Sequence, residues 1–278
     1  MKKIHCHLPD SLYDALIERM RTEKTSCDHV VSSALSQYFG KPLHTLFQVS
    51  TSAALVEGLY QGAVTVARLL RHGDFGLGTF VDLDGEMVVL DGACYQVHSD
   101  GTVYRVEDDR LIPYAVVTRF NAEFSVKHPE LNSLAELVAV CDQLRVSQNL
   151  FYAFRIDGTF SLVNTRVMKP VPEGTGLKAA ASAQQEFLFH QQEGTLVGLW
   201  SPAFAGSFSV PGYHFHFLSS DRKRGGHVLE CSAVDVTIGG CAMHEMHVSL
   251  PETAEFLKAD LSRDPTGDLM GAERKHES

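Results

Sequence analysis

Apolar and polar residues alternate at the start of the chain, with Ile4, Cys6 and Leu8 interleaved among Lys3, His5 and His7. That period of two predicts a short strand. Pro9 and Asp10 then open a helix with Leu12, Leu16, Ile17 and Met20 on one face. Thr25 and Ser26 cap a second helix, with Val30, Val31, Ala34, Leu35 and Tyr38 inward, and Gly40 and Pro42 end it. Residues 1–42 therefore form a small strand-helix-helix unit. A unit of that size buries too little surface to be stable alone, so pairing with another chain is expected.

Beyond residue 43 the texture changes. Helical stretches run from Ala53 to Gly58 and from Ala63 to Arg71. Strand patterns then follow at short spacing over Gly76–Leu83, Met87–Leu90, Ala93–His98, Val103–Val106 and Val116–Asn121. Asp84-Gly85, Asp91-Gly92 and Asp100-Gly101 separate them, each a hairpin signal. A helix is expected over Leu134–Asp142, and a hairpin over Phe151–Met168 turning at Asp157-Gly158. The Pro- and Gly-containing stretch Lys169–Ala183 reads as a linker. After it come strands over Gly194–Trp200, His214–Ser219, Val228–Ala233, Val234–Ile238 and Met243–Leu250, then a helix over Glu252–Lys258. Mostly antiparallel strands with a few helices define an α+β protein. The expected organisation is residues 1–42, 43–170 and 171–278.

Composition narrows the class. The 278 residues are 44% hydrophobic and 21% charged, as in ordinary globular proteins. A net charge of -10 argues against a general nucleic-acid surface. No run of about 18 apolar residues exists, so no membrane span is expected, and the N-terminus lacks the apolar segment of a secretory signal. The six cysteines form no CxxC pair, which suits free thiols in a reducing cytoplasm.

Fourteen histidines are many for this length, and three of them cluster by pattern. Gly212-Tyr213-His214-Phe215-His216-Phe217 places an H-x-H in a strand, where residues i and i+2 share a face. His227 follows the turn Asp221–Gly226, and a hairpin returns it beside that pair. Three imidazoles with an open fourth position are the arrangement of a catalytic zinc site. Such a site polarises a carbonyl or activates water. His244 and His247, three apart on a strand, fall on opposite faces and read as surface or core residues.

Two resemblances follow. The strand-helix-helix order of residues 1–42 resembles the ribbon-helix-helix fold, in which two chains pair strands. Six basic against five acidic side chains leave it near +1, weak for phosphate neutralisation. Dimerisation or docking is thus the expected role, with DNA contact as the alternative. Residues 45–275 resemble the bacterial alpha-acetolactate decarboxylase family. The segments that carry this are HGDFGLGTF (His72–Phe80), DLDGEMVVLDG (Asp82–Gly92), AVVTRF (Ala115–Phe120), NLFYAFRIDGTFSLVNTR (Asn149–Arg166), PGYHFHFLSSDRKRGGHV (Pro211–Val228) and LPETAEFLKADL (Leu250–Leu261).

That resemblance implies two mixed-sheet α/β subdomains packed around the metal site, with residues 1–42 appended. It implies zinc on His214, His216 and His227, with Glu86, Arg166 and Thr79 lining the site and, by spacing alone, Glu273. The implied activity is that of a lyase in acetoin biosynthesis: decarboxylation of (S)-2-acetolactate to (R)-acetoin and carbon dioxide. Zinc would stabilise the enediolate and Glu86 or Glu273 would donate the proton. A cytoplasmic homodimer or larger homo-oligomer is expected. The rival expectation is a DNA-binding regulator with an acetolactate-sensing domain.

Overall fold

The structure is a computed structural model that describes residues 4–23, 25–40, 43–172 and 174–273. It divides into two compact units, Met1–Leu43 and His44–Ser278. The first holds helices α1 (Asp10–Glu23) and α2 (Cys27–Tyr38). Residues 4–8 form no strand. A lone five-residue segment has no ladder partner within this short unit, and a strand without one is not stable. Lys3 of the expected strand lies outside the described residues.

The second unit runs β1 (Thr45–Val49), α3 (Ser52–Val56), β2 (Val64–Thr65), α4 (Val66–His72), β3 (Phe75–Thr79), β4 (Glu86–Leu90), β5 (Ala93–Val97), β6 (Val103–Arg105), β7 (Leu111–Ile112), β8 (Tyr114–Thr118) and β9 (Phe124–Leu131). It continues with α5 (Leu134–Leu144), β10 (Phe151–Val167), α6 (Leu177–Ala181), β11 (Gln185–Ser201), β12 (Gly212–Ser219), β13 (Gly225–Met243), β14 (Glu245–Ser249), α7 (Ala254–Lys258) and α8 (Thr266–Glu273). No described helix is long and apolar enough to cross a membrane.

Seven strands form one sheet in the order β14-β1-β8-β3-β4-β5-β6, and five form another in the order β10-β11-β12-β13-β9. The first is mixed through the parallel β1–β14 pair. The second is antiparallel throughout, and β13 also pairs with β10. A core cluster holding Leu77, Val88 and Val116 of the first sheet with Val197, Leu199 and Leu218 of the second fills the space between them. Strand alternation sends Met87, Val89 and Val117 to the opposite face, under Leu69 of α4. On the far side of the second sheet, Phe154, Phe215 and Phe217 pack with Leu137 and Cys141 of α5.

Two expectations about chain breaks fail. Asp157-Gly158 is no turn, because β10 runs unbroken from Phe151 to Val167. Gly158 sits opposite Gly194, and Asp157 accepts from Arg155 Nε at 2.8 Å and from Thr195 Oγ1 at 2.7 Å. The strand stays extended instead of reversing, and the irregularity falls on its other neighbour: β13 spends one residue more between Val234 and Thr237 than β10 does between Asp157 and Thr159, with Asp235 at positive φ. The boundary drawn at residue 170 falls between β10 and β11, hydrogen-bonded neighbours in one sheet. The layers are thus sheets and not sequence halves: β9 and β10 join the second sheet, while β14 returns to the first. The expected linker carries α6, and the two strands expected over 228–238 are one, β13.

The turns before and after β4 do follow their residues. Asp91 and Gly92 both adopt positive φ between β4 and β5, the requirement of a tight two-residue hairpin. Gly85 has φ +86°, and a Cβ there would lie 2.1 Å from the Val97 carbonyl oxygen. Gly85→Ala is therefore expected to destabilise the protein by about 2 kcal/mol or more, since strain and overpacking combine. Thermal unfolding measures it, and an unchanged midpoint would contradict this reading of the turn.

Candidate active site

The residue patterns of two strands build the centre of the site. In β12 the aromatic residues Phe215 and Phe217 enter the outer core, so His214, His216 and Leu218 face the first sheet. His227 of β13 pairs in register with His216, and Arg166 of β10 pairs with His227. The hairpin between β12 and β13 closes on Ser219, whose Oγ accepts from the backbone N–H of Arg224 at 3.0 Å. Gly226 then passes so near β10 that a Cβ would lie 2.8 Å from the Arg166 carbonyl oxygen. That close approach brings the His227 ring over to its partners.

The three rings have centroids 4.8 to 5.5 Å apart. One ligand nitrogen from each lies within 4.8 Å of the others, the sole such group among the described residues. The Nε2 atoms of His214 and His216 are 3.0 Å apart. A tetrahedral ion with bonds near 2.0–2.1 Å would space its nitrogens by roughly 3.3 Å, so the donor set fits such an ion with small adjustments. His216 Nδ1 lies 2.7 Å from the Met87 carbonyl oxygen, which can only accept. The proton therefore sits on Nδ1 and the Nε2 lone pair points into the cluster. Burial, and then the charge of Arg166, hold His214 down at about 3, so this ring is neutral at ordinary pH.

The facing sheet supplies acidic and polar groups. Glu86 begins β4 and shares the inward face with Val88 and Leu90. Its Oε1 accepts from the Met168 backbone N–H at 3.2 Å, and its Oε2 lies 3.5 Å from His216 Nε2. Thr79, opposite Glu86 in β3, donates from Oγ1 to the Gly85 carbonyl oxygen at 2.9 Å and so pins the turn into Glu86. Arg166 Nη1 rests 3.1 Å from Met168 Sδ. Glu86, Arg166, His216 and His227 are each no more than 5% exposed.

Thr79, Glu86, Arg166, His214 and His227 line one cavity. Its remaining walls are mostly apolar: Leu55, Leu83, Met168, Leu177 and Val210, with Tyr114. None of these carried a signal in the sequence, because a leucine in an apolar run looks the same whether it lines a core or a cavity. Glu273 is the last residue of α8, and its side chain lies outside the described residues. The helix packs Leu269 and Ala272 into the cluster that holds Leu177. His244 and His247 are exposed and stand apart from the three-histidine group.

Known proteins resemble this chain in sequence and in fold. The family model described as "Alpha-acetolactate decarboxylase" matches residues 46–263. A Methylococcus capsulatus protein of that name is 38% identical over 264 residues, covering 94% of this chain and 98% of the relative. The uncovered 6% is shorter than the first compact unit, so that alignment runs into it. A Methanosarcina mazei protein of the same name is 39% identical over 233 residues, with 82% and 80% covered. The crystal structure of alpha-acetolactate decarboxylase from Bacillus subtilis strain 168 superposes with a TM-score of 0.80 at 34% identity, over 83% of this chain and 100% of that one. By sequence and by fold alike, this chain is an enzyme of the alpha-acetolactate decarboxylase family.

Proposed function

We propose that the chain converts (S)-2-acetolactate into (R)-acetoin and carbon dioxide in the cavity between its sheets, using zinc held by His214, His216 and His227. The observation that carries this reading is the three-imidazole cluster facing Glu86 and Arg166 across one cavity. Loss of carbon dioxide from a 3-keto acid leaves negative charge on the former keto oxygen, and the barrier falls when that charge is held. A divalent ion there supplies Lewis acidity toward the adjacent keto and hydroxyl oxygens of the substrate.

The chain's own groups do the rest. Arg166 presents a buried guanidinium suited to a carboxylate or a developing oxyanion. Leu55, Leu83 and Val210 exclude water and accommodate methyl groups. A glutamate must protonate one face to set the product's stereochemistry. Glu86 is our favoured donor, because its carboxylate lies beside His216; Glu273 is the other. All six cysteines are free thiols, which suits the cytoplasmic location we propose.

For residues 1–42 we propose self-association. Ile4, Leu12 and Ile17 are at least 44% exposed, an unusual share of apolar surface for so short a segment. Its near-neutral charge favours a protein partner over nucleic acid.

Three outcomes test these readings. His216→Ala should lose bound metal and acetoin formation together; elemental analysis showing one zinc per chain in an active variant would refute the site. Arg166→Ala should retain the metal and lose rate on the order of a hundredfold, as removal of an oxyanion partner does. Unchanged turnover would reject its role. Deletion of residues 1–42 should leave turnover intact and lower the oligomeric state by light scattering; an unaltered mass would remove the proposed role of that unit.

A further inference from the structure

Helix α5 touches both strands that carry the histidines, although it lies on the opposite side of the sheet from the cavity. At its first turn, Leu134 N–H donates to Glu230 Oε1 at 2.6 Å, and Glu230 belongs to β13, three residues after His227. At its last turn, Arg145 follows as the capping residue. The Arg145 guanidinium carbon stands 3.7 Å from the centre of the Trp200 ring. Its Nε donates to Tyr213 Oη at 3.0 Å, and its Nη2 donates to Asp142 Oδ1. Tyr213 Oη donates in turn to Asp142 Oδ1 at 2.8 Å, which closes a triangle of charge-assisted bonds. The Arg145 side chain is only 8% exposed, whereas Asp142, which accepts two of the three bonds, is 49% exposed.

Tyr213 immediately precedes His214, and the register Trp200↔Tyr213, Leu199↔His214 places the triangle one residue from that histidine. Just before it, Gly212, at φ +85°, has open space where a Cβ would stand. The Tyr213 ring also stacks on Phe215, with centroids 5.5 Å apart and planes 6° apart. A shift of Tyr213 in the outer core would thus turn His214 on the inner face.

We propose that α5 is a positioning brace for the histidine cluster and that Arg145, through Tyr213 and Asp142, is its clamp on His214. The proposal rests on the metal reading above. Preorganised ligands bind an ion more tightly because less ordering remains to be done on binding. The chain has a single tryptophan, Trp200, stacked within the clamp, and it provides a direct spectroscopic probe.

The test is zinc affinity of the full-length protein, measured by competition with a chelating dye, together with Trp200 emission. Wild-type protein should bind one zinc per chain and change its Trp200 emission as it does so. Arg145→Lys and Tyr213→Phe should each weaken zinc binding tenfold or more, with the circular dichroism of the metal-free protein unchanged. Tyr152→Phe serves as the structural control. It removes a 3.1 Å bond from Ser147 N–H that ties down the same loop, without touching β12. Its zinc affinity should stay within twofold of wild type. Wild-type affinity in both clamp variants, or an equal loss in Tyr152→Phe, would overturn the brace. A wild-type protein that takes up no zinc would overturn the metal reading itself, and the brace with it.

Discussion

Three imidazoles, a carboxylate and a guanidinium share a layer otherwise built of leucine, valine and methionine. Polar groups removed from water are costly unless each finds a partner, and an unpaired buried charge costs several kcal/mol. The design of the site follows from that constraint. His216 lends its Nδ1 proton to the Met87 carbonyl, Glu86 takes the Met168 N–H, and Thr79 satisfies the Gly85 carbonyl. His214 is kept neutral by burial and by Arg166. With its Nδ1 spent on backbone, His216 turns its Nε2 toward His214 and the Glu86 carboxylate.

The constraint also explains the architecture. Two sheets stacked face to face leave an apolar layer about 10 Å thick. A polar site inside it requires side chains that arrive by strand parity and not from loops. Alternation sends Glu86 inward with Val88 and Leu90, and His214 and His216 inward opposite Phe215 and Phe217. Pairing of β13 with both β12 and β10 brings His227 and Arg166 alongside. The cost of this arrangement is that the histidines depend on how well their strands are held from behind. Glu230 and Arg145, at the two ends of α5, supply that hold.

Legibility in the sequence followed the range of each interaction. The H-x-H pair and the glycine-bounded return to His227 were readable because parity and hairpin geometry are local. Glu86, Thr79 and Arg166 were readable only through several family segments in order, since an Asp-Gly-Glu turn or a strand arginine is by itself ordinary. The cavity walls Leu55, Leu177 and Val210 gave no sign at all. Neither did the bond between Arg145 and Tyr213, which are 68 residues apart. Asp157-Gly158 misled because the pair that makes a hairpin also fits inside a long strand whose neighbours on both sides continue past it, and those neighbours lie far away in sequence. The strand expected at Ile4–Leu8 needs a partner that its own unit does not contain.

In the function proposed above, this polar cluster is a metal centre. Diffraction from crystals of the zinc-loaded protein at the zinc absorption edge tests it most directly. One anomalous peak per chain is expected at bonding distance, about 2.0–2.1 Å, from a nitrogen of each of His214, His216 and His227. A peak elsewhere, or none between those rings at full zinc loading, would contradict it.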